Sequence, residues 1–203
     1  NGLSGNGLVD GNGTASAGTK TLTVGDNNAA STFAGIIRNT VGTLALTKTG
    51  PGVLSLEGDN TYDGATAIDA GVLQIVGRLG RGAVTVTGTR TINVGGSNLT
   101  IAGNISGTGG LTKTGAGNLS LIGNNTFSGD LTVNAGTVSV GALGAANIGT
   151  GTLHLNGGGL RFDYQSLNGF TGTGTSIYTG APASTAITDN FAVLHSSDLS
   201  NPD

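Results

Sequence analysis

The sequence predicts an all-β protein, a parallel β-helix in which short strands wind into a solenoid of roughly 20-residue coils. Three observations predict it: brief runs of alternating apolar residues, glycine and asparagine between the runs, and one long phrase spelled twice without a gap.

The runs come first. TLTV (21–24), VLSL (53–56), VTVT (84–87), NLTI (98–101), NLSL (118–121), LTV (131–133), TVSV (137–140) and TLHL (152–155) each put apolar residues on alternate positions. That is the period of a strand with one buried face, and no window carries a helical stripe. Gly, Asn and Asp punctuate the runs every few residues, as tight turns require. Gly, Thr, Ser and Asn richness is also the composition of a disordered linker, but 36% hydrophobic content placed regularly as Val, Leu and Ile argues for a buried core.

The repeat comes second. Residues 46–76 align with 111–141 at an offset of 65, with 15 of 31 positions identical, and TLTVGDNN (21–28) is echoed by TINVGGSN (91–98). Within a unit, Leu46 to Ile68 and Leu111 to Val133 are both 22 residues apart. A beat near 20 implies about three coils per unit, with Leu54, Leu56, Ile75 and Leu119, Leu121, Val138, Val140 in one continuous core. Roughly nine or ten coils at ~4.8 Å per stacked strand make a rod about 45 Å long. A β-sandwich also has short strands and frequent turns, but gives no reason for a gapless repeat. Residues 1–162 therefore read as the β-helix, and 163–203 as a non-repeating, aromatic-richer cap or the start of another subdomain.

Composition excludes several functions. A net charge of −3, with eight dispersed Lys and Arg, is a poor match for nucleic acid. No apolar stretch approaches the ~20 residues of a membrane-spanning helix, and no charged segment followed by an apolar run opens the chain; targeting segments of an exported protein would lie outside it. Zero Cys removes disulfides, thiolate metal sites and cysteine catalysis.

The repeated phrase reads as a building unit. Gly50, Gly52, Gly58 and Gly64, matched by Gly115, Gly117, Gly123 and Gly129, fall at strand ends, where glycine takes positive φ without steric cost. Asn60 and Asn125 sit in a loop where their amides can satisfy turn backbone groups. Tyr62 and Phe127 follow in the same loop and fold over the coil edge, covering core that glycine leaves open. A sugar-stacking role for this aromatic is less favoured, because the second copy lacks the hydroxyl. Lys48 and Lys113, three coils and roughly 14 Å apart, exceed the ~8 Å Debye length and read as solvated, edge-protecting charges.

The pattern LTKTG, x-G-x-L-x-L-x-G, D-N-T-Y or N-N-T-F, then a short strand and AG before VLQI or TVSV, resembles the passenger-associated repeat of Gram-negative autotransporters. ALGAANIGTGTLHLNGGGLRF (142–162) is similar to the stretch that follows such repeats, and RLGRGAVTVTGTRTINV (78–94) resembles a degenerate version of it. The likeness covers roughly 20–162. It implies a right-handed parallel β-helix exported through its own carboxyl-terminal β-barrel, of which no series of ~10-residue membrane strands appears here. It further implies a place at the bacterial cell surface or outside the cell, and repeats that support folding during secretion.

Catalysis finds little support. Of two histidines, His154 lies between Leu153 and Leu155 and points to solvent if they point inward; His195, near Asp198, lies in the non-repeating tail. Asp59 and Asp63 could pair as glycosidase carboxylates, but the second copy has Asn124 and Ser128. No nucleophile elbow, zinc motif, P-loop or calcium nonapeptide is present, so no catalytic, cofactor or metal residue is expected. The expected function is a non-catalytic rod that adheres to host glycan or protein, or to identical passengers. The alternative is the stalk of an enzymatic passenger whose catalytic head lies before Asn1. Five of the eight aromatics follow residue 161, which suits a bulkier cap over the last coil.

Overall fold

The computed structural model describes residues 2–11, 18–141 and 148–163. It holds no helix among them. The strands are β1 (Leu8–Asp10), β2 (Thr19–Val24), β3 (Ser31–Phe33), β4 (Ile36–Arg38), β5 (Thr43–Lys48) and β6 (Val53–Leu56). They continue as β7 (Thr66–Ile68), β8 (Val72–Ile75), β9 (Val84–Val86), β10 (Arg90–Val94), β11 (Leu99–Ile101) and β12 (Ile105–Ser106). The last are β13 (Leu111–Thr114), β14 (Asn118–Leu121), β15 (Leu131–Val133), β16 (Thr137–Gly141), β17 (Leu153–Leu155) and β18 (Gly159–Asp163).

Every strand pairing is parallel, and partners lie one coil apart in sequence, from Thr66 opposite Val84 to Leu8 opposite Ile36. The chain is thus a parallel β-helix. Its sheets run along the axis: a seven-stranded one in the order β17-β15-β13-β10-β8-β6-β3, and a five-stranded one in the order β12-β9-β7-β5-β2. The third side carries β1-β4 at one end and β11-β14-β16-β18 at the other. Seven coils stack among the described residues, about 29 Å of rod at ~4.8 Å per step. The remainder of the nine or ten expected coils, and the aromatic-rich segment after Asp163, lie outside the described residues.

The core forms because the alternating residues of all three sides point to one axis. Leu54, Leu56 and Ile75 from the seven-stranded sheet meet Leu119, Leu121, Val138 and Val140 from the third side in one buried cluster.

The repeat does not stack on itself. Leu46 is followed along its sheet by Thr66, Val84 and Ile105, three coils in all. Leu111, the repeat-mate of Leu46, lies one corner further on, in the seven-stranded sheet. The first copy occupies the five-stranded and seven-stranded sheets through β5 to β8, and the second the seven-stranded sheet and the third side through β13 to β16. The earlier echo obeys the same shift, since TLTV lies in β2 and TINV in β10. Sixty-five residues are therefore three coils plus one side, rather than three coils, and Lys48 and Lys113 stand on different sides of the rod.

Candidate functional site

The phrase LTKTG ends a strand and turns a corner. Leu46 and Lys48 share one parity, as do Leu111 and Lys113, so each lysine points inward with its leucine. Lys48 is 1% exposed and Lys113 0%. The expectation of solvated edge charges is overturned: the stems pack in aliphatic columns, Lys48 between Val24 and Ile68, Lys113 between Ile92 and Val133.

Each ammonium has three protons to place. Lys48 Nζ donates to the carbonyls of Thr49, Gly50 (2.7 Å) and Ala70 (3.3 Å). Lys113 Nζ donates to those of Thr114 (2.9 Å), Gly115 (2.6 Å) and Ala135 (3.0 Å). The two cages match partner for partner at the repeat offset. Two carbonyls come from the lysine's own turn and the third from the coil that follows.

Gly50 and Gly115 make that turn, at φ of 63° and 79°, the left-handed region where a Cβ would be strained. The other glycines of the phrase take no positive φ, which corrects the reason given for them. Gly52, Gly58, Gly64, Gly117, Gly123 and Gly129 instead lie against the backbone of the preceding coil; a Cβ on Gly52 would stand 2.5 Å from the Ala29 carbonyl oxygen, and one on Gly123 2.5 Å from that of Gly103. Absence of a side chain lets coils close to strand spacing at their corners.

Asn60 and Asn125 are buried where no regular strand runs. Asn60 Oδ1 accepts from Ile37 N (2.9 Å) in the preceding coil, and its Nδ2 donates to Gly58 O (3.0 Å) and to Arg78 O (2.7 Å) in the next. Asn125 Oδ1 accepts from Ile105 N at 2.8 Å. An amide side chain thus supplies the rungs that backbone omits.

Tyr62 and Phe127 are fully buried inside the coil rather than folded over its edge. A glycine of the next coil seals each ring: a Cβ on Gly80 would reach within 2.6 Å of Tyr62 Cζ, and one on Gly149 within 2.7 Å of Phe127 ring carbons. The Tyr62 hydroxyl lies 2.7 Å from Thr66 Oγ1.

Burial pushes the Lys113 ammonium down from 10.5 to about 8 and lowers Lys48 too, while the carbonyl dipoles favour the charged form at neutral pH. Burial raises the Tyr62 phenol from 10.0 to about 12. Between about pH 8 and 10 the unfolded lysine holds a proton that folded Lys113 has released, so stability rises with pH. Above pH 10 the unfolded tyrosine loses a proton that folded Tyr62 keeps, so stability falls. Urea midpoints measured from pH 7 to 12 are expected to peak near pH 10, with the rising limb weakened by Lys113→Met and the falling limb by Tyr62→Phe. A midpoint that declines steadily from pH 8 contradicts the buried ammonium.

The remaining candidates are dispersed. His154 faces outward and pairs with Asp130 at 3.2 Å; that carboxyl, held by the Thr152 N–H and then by His154, lies below its usual range. Asp63 accepts from Asn39 Nδ2 at 3.3 Å, and Asp59 pairs through its backbone with Arg78 in an isolated parallel β-bridge. Among the described residues no three His, Cys, Asp or Glu side chains gather as metal ligands would. His195 and Asp198 lie outside the described residues. Sequence reasoning missed the Ala70-Gly71 and Ala135-Gly136 corners as cage partners and Gly80 and Gly149 as ring seals; AG at both places in the repeat was the available signal.

The passenger-associated transport repeat family model matches residues 46–75 and 111–140. The chain is 37% identical, over 81% of its length, to the adhesin BmaC autotransporter of Brucella suis biovar 1 (strain 1330). It is 50% and 52% identical, over 26% and 22% of its length, to two extracellular serine proteases of Serratia marcescens. The chain spans only 6% of the adhesin and 5% and 4% of the proteases. No solved structure matches it significantly. With two transport repeats built into one solenoid and an autotransporter adhesin alongside most of its length, the chain belongs to the autotransporter passengers, exported to the cell surface or beyond.

Proposed function

We propose that this part of the passenger is a non-catalytic adhesive rod, binding host surface glycan or protein, or an identical passenger on a neighbouring cell. The observation that carries the reading is the outward surface of the seven-stranded sheet. Strand register aligns Thr91, Thr112, Thr132 and His154 in one column, and Gln74, Asn93 and Thr114 in the next, which continues through the buried Ser55 to the exposed Thr32. Hydroxyls and amides repeating at ~4.8 Å offer many weak hydrogen bonds, which a crowded cell surface multiplies. Likeness to an adhesin over most of the chain supports the same reading. In the precursor the rod would meet its own carboxyl-terminal β-barrel, and nucleic acid is no partner for so weakly basic a surface.

Bacteria displaying the chain should clump or bind host cells more than barrel-only controls. Replacing Thr112 and Thr132 by Glu should weaken that gain, since like charges repel and the column loses its donors. Equal adhesion by displayed chain and barrel alone removes the proposal.

The two protease relatives favour a second reading, in which the rod is the stalk behind a catalytic head outside this chain. Peptide hydrolysis by the full-length protein, retained when adhesion is lost, would select it.

A further inference from the structure

We infer that Lys48 and Lys113 are register markers, which make any stacking of the coils other than the native one leave a buried ammonium without its carbonyls. This concerns how the rod folds and stands apart from what it binds.

The columns show the problem that the lysines solve. Lys113 occupies a row that otherwise reads Leu54, Leu73, Ile92, Val133 and Leu155. Lys48 interrupts Val24, Ile68 and Val86. Rows of this kind are permissive. A slip of one residue turns every apolar side chain outward, but a slip of two keeps the parity and offers one aliphatic residue for another. Tight glycines and the Asn60 and Asn125 amides resist a slip at the corners, but an aliphatic row carries no such mark of its own.

A lysine in the row removes that freedom. In register, two carbonyls of its own turn and one from the following coil take its three protons. A two-residue slip between β13 and β15 sets Lys113 opposite Leu131 or beyond Val133 and carries the Ala135 carbonyl about 7 Å along the strand, out of reach. The ion pairs Arg38–Asp10 and His154–Asp130 involve neither lysine, and each cage is built of carbonyls alone, so no carboxylate stands in for the lost carbonyl. Fixing register is the best-attested use of a buried polar group that is satisfied in one alignment alone. That the same three partners recur at both copies argues against chance burial.

The chain has no cysteine, so engineered pairs report cleanly. Thr112 and Thr132 are native neighbours on β13 and β15; Thr112 and Asn134 are diagonal, roughly 8 Å apart and too far for a disulfide. The 203-residue chain is refolded from urea under oxidising conditions with either pair. With Lys113 in place the native pair should close and the diagonal pair should not. Lys113→Met should still refold to β-structure, with its diagonal pair closing several-fold more than beside Lys113 and its native pair closing less. A variant that folds with only the native disulfide overturns the inference. If Lys113→Met does not fold, Lys48→Met is read in the same way with Thr47/Ala67 as native pair and Thr47/Asp69 as diagonal. Should neither variant fold, the lysines are foremost stability elements and the inference fails.

Discussion

Phe127→Ala is expected to lower the free energy of unfolding by about 3–5 kcal/mol, the range for emptying a buried aromatic site. The ring is fully buried, and Gly149 of the next coil lies directly against it. A solenoid collapses poorly around such a hole, because each coil is held at strand spacing by its neighbours on all three sides. Tyr62→Ala should match it, with the hydroxyl partner Thr66 left unpaired in addition. Gly80→Ala should be harmful with Tyr62 present and nearly harmless in Tyr62→Ala, because the added methyl then occupies the vacated ring site. Urea denaturation of the two single variants and the double variant should depart from additivity by at least about 1 kcal/mol. Additive effects would mean that ring and glycine are not in contact.

Asn60→Leu should lower stability by about 1–3 kcal/mol, although the replacement is close in volume and more apolar. The amide makes three hydrogen bonds to three stretches of chain; when it goes, the Gly58 and Arg78 carbonyls keep backbone donors in Arg78 N and Asn60 N, and the Ile37 N–H loses its acceptor. Ile37 N–H is the most exposed to the change, since a buried donor without a partner keeps its full desolvation penalty. Hydrogen exchange at Ile37 should therefore accelerate more than at residues within β5 or β6. Asn125→Leu should do the same at Ile105. Unchanged exchange at both amides would show that the amide rungs contribute nothing to the third side of the rod.

Both predictions come from residues conspicuous in the sequence, yet their reasons were visible to different degrees. The strand positions, the beat near 20 and the burial of alternate leucines followed from local alternation, and the structure places them so. Lys48 and Lys113 were legible by parity, since each stands two residues after a buried leucine. The reading of them as solvated charges rests on their separation, which says nothing about which way either side chain points. What holds each ammonium inside is a set of three backbone carbonyls, and carbonyls carry no sequence signature. Gly80 and Gly149 were invisible for a related reason: what makes them necessary is a ring in another coil, 18 and 22 residues earlier.

Read alone, the sequence establishes a β-helix, the length of its coils, which strand leucines, isoleucines and valines face the axis, and a repeated passenger unit. Those follow from periodicity, which is local. The packing of whole coils settles that 65 residues are three coils and one further side, so that the copies turn about the rod instead of stacking. It alone decided that the lysines are interior. Both depend on where a coil closes, and closure is set by backbone groups of one coil meeting those of the next, which no stretch of sequence contains.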